Sequence, residues 1–69
     1  MLISNIKELG KIIKETRKKQ KLTQSDLAIS AQVGVRFLVD LENGKETVQT
    51  GKVINVCNML GLKIDIKEQ

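Results

Sequence analysis

Apolar residues recur along this chain at helical spacing in four stretches and at strand spacing in one. Ile6, Leu9 and Ile13, with Arg17 on the same line, form a stripe that predicts a helix from about Asn5 to Gln20, with Ser4 as its cap. Leu27, Ala28 and Ala31 make the apolar face of a second helix, and Ala28 is small enough to let a neighbouring helix pass close. Thr23-Gln24-Ser25-Asp26 has the form of a capping box, in which the Thr23 hydroxyl accepts from the Asp26 amide and the Asp26 carboxylate reaches back; this sets the helix start at about Gln24. Val35, Leu38 and Leu41 fall at i, i+3 and i+6 and predict a third helix from about Val35 to Glu42, closed by Asn43 and a left-handed Gly44. Residues 44–51 read as a connecting loop, with Thr47 and Thr50 as alternative caps for a fourth helix that runs to about Leu60. Val53, Val56, Cys57 and Leu60 share its packing face. Gly61 stops it and Leu62 makes the apolar contact that follows a glycine cap.

Residues 62–67 then alternate strictly, apolar then charged, which is the period of a half-buried strand. Leu2-Ile3 is the other short β-prone stretch. A lone strand leaves its backbone groups unpaired, so the economical partner is the same strand of a second copy, with Leu62, Ile64 and Ile66 as the dimerisation residues; a frayed tail is the alternative.

Composition narrows the chemistry. A single domain over residues 1–69 is expected, and a domain of this size buries only about 60% of its unfolded surface, so self-association would add usefully to its stability. With no Trp, no Tyr and one Phe, the core must be aliphatic, and Phe37 anchors either that core or a subunit interface. The single cysteine, Cys57, has no partner for an internal disulfide and reads as a small hydrophobe; with no histidine there is no plausible metal site and no expected cofactor. This pattern suits a reducing, cytoplasmic compartment. No apolar run approaches a membrane span, and Met1-Leu2-Ile3 is too short for a signal-peptide core, so a soluble, unprocessed chain without membrane attachment is expected. The absence of histidine, of a reactive-cysteine setting and of a glycine-rich phosphate loop argues against an enzyme.

The second and third predicted helices are joined by only Gln32-Val33-Gly34. Such a short link forces a steep crossing, the geometry of a helix-turn-helix over residues 23–43, whose second helix enters a DNA major groove. A net charge of +4 and an isoelectric point near 9.5 favour a polyanionic partner. Seven of the twelve basic residues lie between Lys7 and Lys21 (Lys7, Lys11, Lys14, Arg17, Lys18, Lys19 and Lys21) against Glu8 and Glu15. Singly each suits a solvated helix face; together they raise the potential facing phosphates.

Leu22-Thr23-Gln24 with Leu27-Ala28, then Val33, then Leu41-Glu42-Asn43-Gly44-Lys45 resembles the Xre/Cro-type helix-turn-helix domain. Gly34-Val35-Arg36-Phe37-Leu38 through Asp40-Leu41-Glu42, with Gly44-Lys45 and Leu60-Gly61-Leu62, resembles HipB-type antitoxins within that family. The resemblance implies an all-α, lambda-repressor-like bundle of four to five helices with a short C-terminal β-strand pairing across a homodimer. It implies double-stranded DNA as partner, an inverted-repeat operator in the nucleoid, and an autoregulatory repressor that also restrains a HipA-like serine/threonine kinase toxin. A stand-alone phage- or plasmid-type repressor is the alternative. Two positions depart from the family, which commonly has glycine where Lys21 and Gln32 stand here; a non-glycine residue in a left-handed conformation costs on the order of 1 kcal/mol.

Positions on the motif assign roles. Gly34, Val35, Arg36 and Asp40 can reach base edges. Arg36 can bond O6 and N7 of a guanine or, alternatively, hold a phosphate or stay exposed; Val35 can touch a thymine methyl; Asp40 can accept from cytosine or orient Arg36 from i+4. By resemblance Gln24, at a helix N-terminus beside Thr23, faces a phosphate, and Lys45 beside Asn43 is the second phosphate clamp. Arg17 is expected by resemblance to pair with Glu42, with direct phosphate contact as the alternative.

Overall fold

The structure is a computed structural model that describes residues 2, 3, 5–47, 49–63, 65 and 66, with residues 2, 3, 65 and 66 described through their backbone. Among them four helices form: α1 (Ile6–Lys19), α2 (Gln24–Ala31), α3 (Val35–Glu42) and α4 (Thr50–Met59). α2 packs on both α3 and α4, and α1 lies across α3. Leu9, Ile13, Leu27, Ala28, Ala31, Leu38, Leu41, Val53, Val56, Cys57 and Leu60 make the buried core, to which every helix contributes; of the predicted stripes, Val35 stands outside it and Ile6 only packs against it. Burial pushes the Cys57 thiol up to about 11, so it stays protonated and packs as an apolar side chain.

Local chemistry sets most element boundaries, with two corrections. α1 is capped by Asn5, whose side chain accepts from the Glu8 amide at 2.8 Å, and so starts one residue later than a Ser4 cap would place it. Neither Thr47 nor Thr50 caps α4. Thr47 Oγ1 accepts from the Gln49 amide at 3.0 Å in a local turn, Gln49 occupies the cap position without a side-chain bond, and Thr50 is already helical. The Thr23–Asp26 capping box forms in both directions, each bond at 3.0 Å. The Thr23 amide, and then its hydroxyl, hold the Asp26 carboxyl below its ordinary 3.8.

All four helices end in the same six-to-one turn. The amides of Leu22, Val33, Lys45 and Leu62 donate back to the carbonyls of Arg17, Ala28, Asp40 and Cys57 at 2.9–3.1 Å, with a left-handed residue just before each. In α3 and α4 that residue is Gly44 (φ 81°) or Gly61 (φ 74°); in α1 and α2 it is Lys21 (φ 59°) or Gln32 (φ 58°). Lys21 and Gln32 therefore carry the left-handed strain at both ends of the segment that presents α2.

The predicted terminal strand differs from the expectation in its partner. Its described strand residues, β2 (Asp65–Ile66), pair in parallel with β1 (Leu2–Ile3) of the same chain, in the register Leu2 with Asp65 and Ile3 with Ile66. The premise of a strand without a partner thus fails: the chain's own N-terminal segment supplies one. Leu62 packs against the chain's own core, Ile66 lies in β2 and Ile64 falls outside the described residues.

Candidate nucleic-acid interface

The helix-turn-helix expected over residues 23–43 is formed by α2, the Gln32-Val33-Gly34 link and α3. Its geometry is fixed at the C-terminal end of α3. Glu42, 6% exposed, receives Arg17 Nε at 2.7 Å and Arg17 Nη2 at 3.1 Å, a bidentate pair, and Gln24 Nε2 at 3.1 Å. Arg17 Nη1 donates in turn to the Leu22 carbonyl at 2.8 Å. One carboxylate therefore ties together the end of α1, the start of α2 and the end of α3. Among the described residues no buried side-chain nitrogen or oxygen lacks a hydrogen-bond partner, which is what allows this charge pair to sit in the interior without an uncompensated group. Arg17 has the structural place foreseen for it, with its donors turned inward.

Gly10 completes this end and went unremarked in the sequence. It is buried mid-helix in α1, where a Cβ would run into the Leu41 carbonyl oxygen and come within 2.9 Å of that of Glu42. Only glycine lets the α1 backbone approach the last turn of α3 so closely. The signal was present: a glycine in a helix interior is unfavourable unless backbone approach requires it. A further tie, Gln20 Nε2 to the Leu60 carbonyl at 2.9 Å, joins the ends of α1 and α4.

The N-terminal end of α3 is open. Gly34, the cap, has φ −72° and nothing within 4 Å of where a Cβ would stand, so its value lies in a bare, exposed backbone rather than in an unusual conformation. Val35 is 43% exposed, outside the core that Leu38 and Leu41 join, and the Arg36 side chain is 88% exposed. Asp40 lies one turn on, with Oδ1 3.6 Å from Arg36 Nε and Oδ2 3.7 Å from Lys45 Nζ. Asp40 thus lies between two cations, within ion-pair distance of each. Phe37 packs on the core and offers its other side to Lys52, whose Nζ stands 5.6 Å from the ring centroid.

The expected phosphate residues divide. Lys45 and Asn43 are exposed beside Gly44, as a clamp requires. Thr23 is exposed but its hydroxyl serves the capping box, and the Gln24 amide nitrogen is engaged by Glu42. In the first turn of α2 the amides of Gln24 and Ser25, which no carbonyl within the helix can satisfy, remain as donors, those of Thr23 and Asp26 being taken by the capping box.

The start of α3 thus carries bare backbone and an exposed guanidinium, Lys45 stands beyond its far end, and that far end is locked by the buried charge pair. The helix-turn-helix family model matches residues 13–67. Over 59 residues the chain is 51% identical to the uncharacterized HTH-type transcriptional regulator y4mF of Sinorhizobium fredii (strain NBRC 101917 / NGR234), covering 86% of this chain and 78% of that one. Over 60 residues it is 28% identical to the ImmF control region 10 kDa protein of Bacillus phage phi105, covering 87% and 67%. With the motif, its geometry and these relatives in agreement, the chain belongs to the Xre/Cro-type helix-turn-helix family of DNA-binding transcription regulators.

Proposed function

We propose that this chain is a sequence-specific repressor that acts in the cytoplasm as a homodimer on an inverted-repeat operator upstream of its own gene. The observation that carries the reading is the contrast within α3, whose exposed N-terminal turn is aimed outward by a buried charge pair at its other end. Arg36 bonds a guanine edge and Val35 meets a thymine methyl, while the Gly34 backbone allows close approach and Asp40 steadies Arg36. Lys45, Asn43 and the start of α2 at Thr23 and Gln24 hold phosphates and fix the register. Two copies related by a two-fold axis present their recognition helices to successive major grooves about 34–36 Å apart. Each strand of a two-stranded sheet keeps one unpaired edge. The outer edge of β2 is therefore the surface through which a second copy extends the sheet, and Leu62, Ile64 and Ile66 are the residues that the sequence pattern assigns to it.

The finer reading is a HipB-like antitoxin whose dimer also restrains a HipA-like serine/threonine kinase; its support is the resemblance of residues 34–45 and 60–62. The stand-alone repressor is the second reading, favoured by the likeness to the phage phi105 control-region protein.

The deciding experiment is a fluorescence-anisotropy titration at physiological salt with the upstream DNA and with scrambled DNA, alongside sedimentation. A preference for the upstream DNA by a dimer supports the proposal. A folded protein with no preference refutes autoregulation, and a truncation after Gly61 that still sediments as a dimer removes the terminal strand from the interface.

A further inference from the structure

Along α1, Lys7, Lys11, Lys14 and Lys18 stand at i, i+4, i+7 and i+11, within roughly 60° of arc and over about 16 Å of helix. All four are exposed, and none forms an ion pair among the described residues. Lys7 and Lys11, Lys11 and Lys14, and Lys14 and Lys18 are helical neighbours of like charge, offset only in part by Glu8 and Glu15 along one edge of the stripe, so a polyanion would relieve the repulsion that remains. Its position is specific. A Cβ on Gly44 would come within 2.8 Å of Lys7 Cγ, so the stripe begins against the Gly44–Lys45 turn, and Lys45 shares Asp40 with Arg36. α1 abuts the C-terminal turn of α3, at the opposite end from the base-reading residues. The basic surface therefore continues from α3 past the Gly44–Lys45 turn and along α1, beyond the reach of base recognition.

We propose that Lys7, Lys11, Lys14 and Lys18 form a sequence-independent rail for the sugar-phosphate backbone of the duplex that flanks the operator half-site. This rests on the DNA-binding reading above and adds a second contact zone to it. Duplex DNA carries one negative charge per about 1.7 Å of axis, so a rail of this length faces several phosphates at once.

The test is the quadruple variant Lys7→Gln, Lys11→Gln, Lys14→Gln and Lys18→Gln, titrated over a range of salt on two upstream duplexes. One ends at the two half-sites and the other extends about ten base pairs further on each side. Each phosphate contact adds about 0.9 to the slope of log K against log salt. The parent is expected to show a steeper slope on the long duplex, and the variant to lose about 2–4 per protomer, about 4–7 for the dimer, from that slope while keeping its preference for operator over scrambled sequence within about twofold. Replacing the same lysines with arginine is expected to retain the slope. Equal slopes for parent and variant would make the stripe a solvated face. Equal losses on the short and long duplexes would place its contacts inside the half-sites, and concentration-dependent bridging of two duplexes would assign it to a second DNA molecule; each overturns the proposal. If the parent shows no operator preference, the repressor reading fails, yet slopes on scrambled duplexes of the same two lengths still decide the rail. Circular dichroism of the quadruple variant, expected to match or exceed the parent in melting temperature, excludes unfolding.

Discussion

At its C-terminal end α3 carries Glu42, buried and bonded by three side-chain nitrogens; seven residues earlier Val35 and then Arg36 stand open to solvent. The first end gains its rigidity by giving up solvation, which is safe only because every donor and acceptor finds a partner. The second keeps its side chains hydrated, Arg36 held only by a solvent-exposed pair with Asp40, so that most of their hydrogen-bonding capacity is available to a ligand. A helix of two turns can orient a guanidinium because the fixed end is fixed by tertiary contacts, since eight residues are too few to hold a helix by themselves. Loss at one end should therefore appear as stability, and loss at the other as binding.

The sharpest break of that contrast is Arg17→Ala, which leaves Glu42 buried and unpaired and should cost about 3–5 kcal/mol of folding stability. Urea unfolding measures it, and the paired replacement of Arg17 by Met and Glu42 by Leu should recover most of the loss. Gly10→Ala comes next. The added methyl meets the carbonyls of Leu41 and Glu42, backbone atoms that cannot swing aside, and should destabilise by about 1–3 kcal/mol; an unchanged unfolding midpoint would show that α1 and α3 can separate at little cost. Arg36→Ala tests the open end. It should leave stability within about 0.5 kcal/mol and reduce operator binding by roughly 1–3 kcal/mol with nonspecific binding intact, whereas equal loss on operator and random DNA would move Arg36 to the phosphates.

Two smaller changes sharpen the picture at the ends of α2. Gln32→Gly removes a Cβ from a left-handed residue and should stabilise by up to about 1 kcal/mol, read as a raised thermal midpoint. The capping box should respond to acid. Because folding lowers the Asp26 carboxyl below 3.8, the stability it contributes is present above that value and is lost as the pH falls through the folded-state value. Asp26→Asn should therefore flatten the low-pH limb of the stability curve measured between about pH 2 and 5.

What proved legible in the sequence was chiefly what forms over a few residues. The Thr23–Asp26 box spans three positions and the terminal turns at Gly44 and Gly61 span five, so residue type and spacing suffice to place them, and the apolar periodicities placed all four helices to within a residue or two. Where caps failed, at Ser4, Thr47 and Thr50, several polar residues competed within one turn and composition could not rank them. The Arg17–Glu42 pair, separated by 25 positions, came from family resemblance rather than from spacing.

Residues and spacing by themselves determined the helices, the short link that makes a helix-turn-helix and the residues on its outer face, because each follows from hydrogen bonds and burial along one segment. Only the tertiary structure decided that Gly10 is the point of closest approach between α1 and α3, that the Gln24 amide is engaged by Glu42 across 18 positions, and that the terminal strand pairs with Leu2–Ile3 of its own chain. These depend on how helices cross and where chain ends meet. Crossing geometry is a property of all the packed faces together, so no single stretch of sequence encodes it.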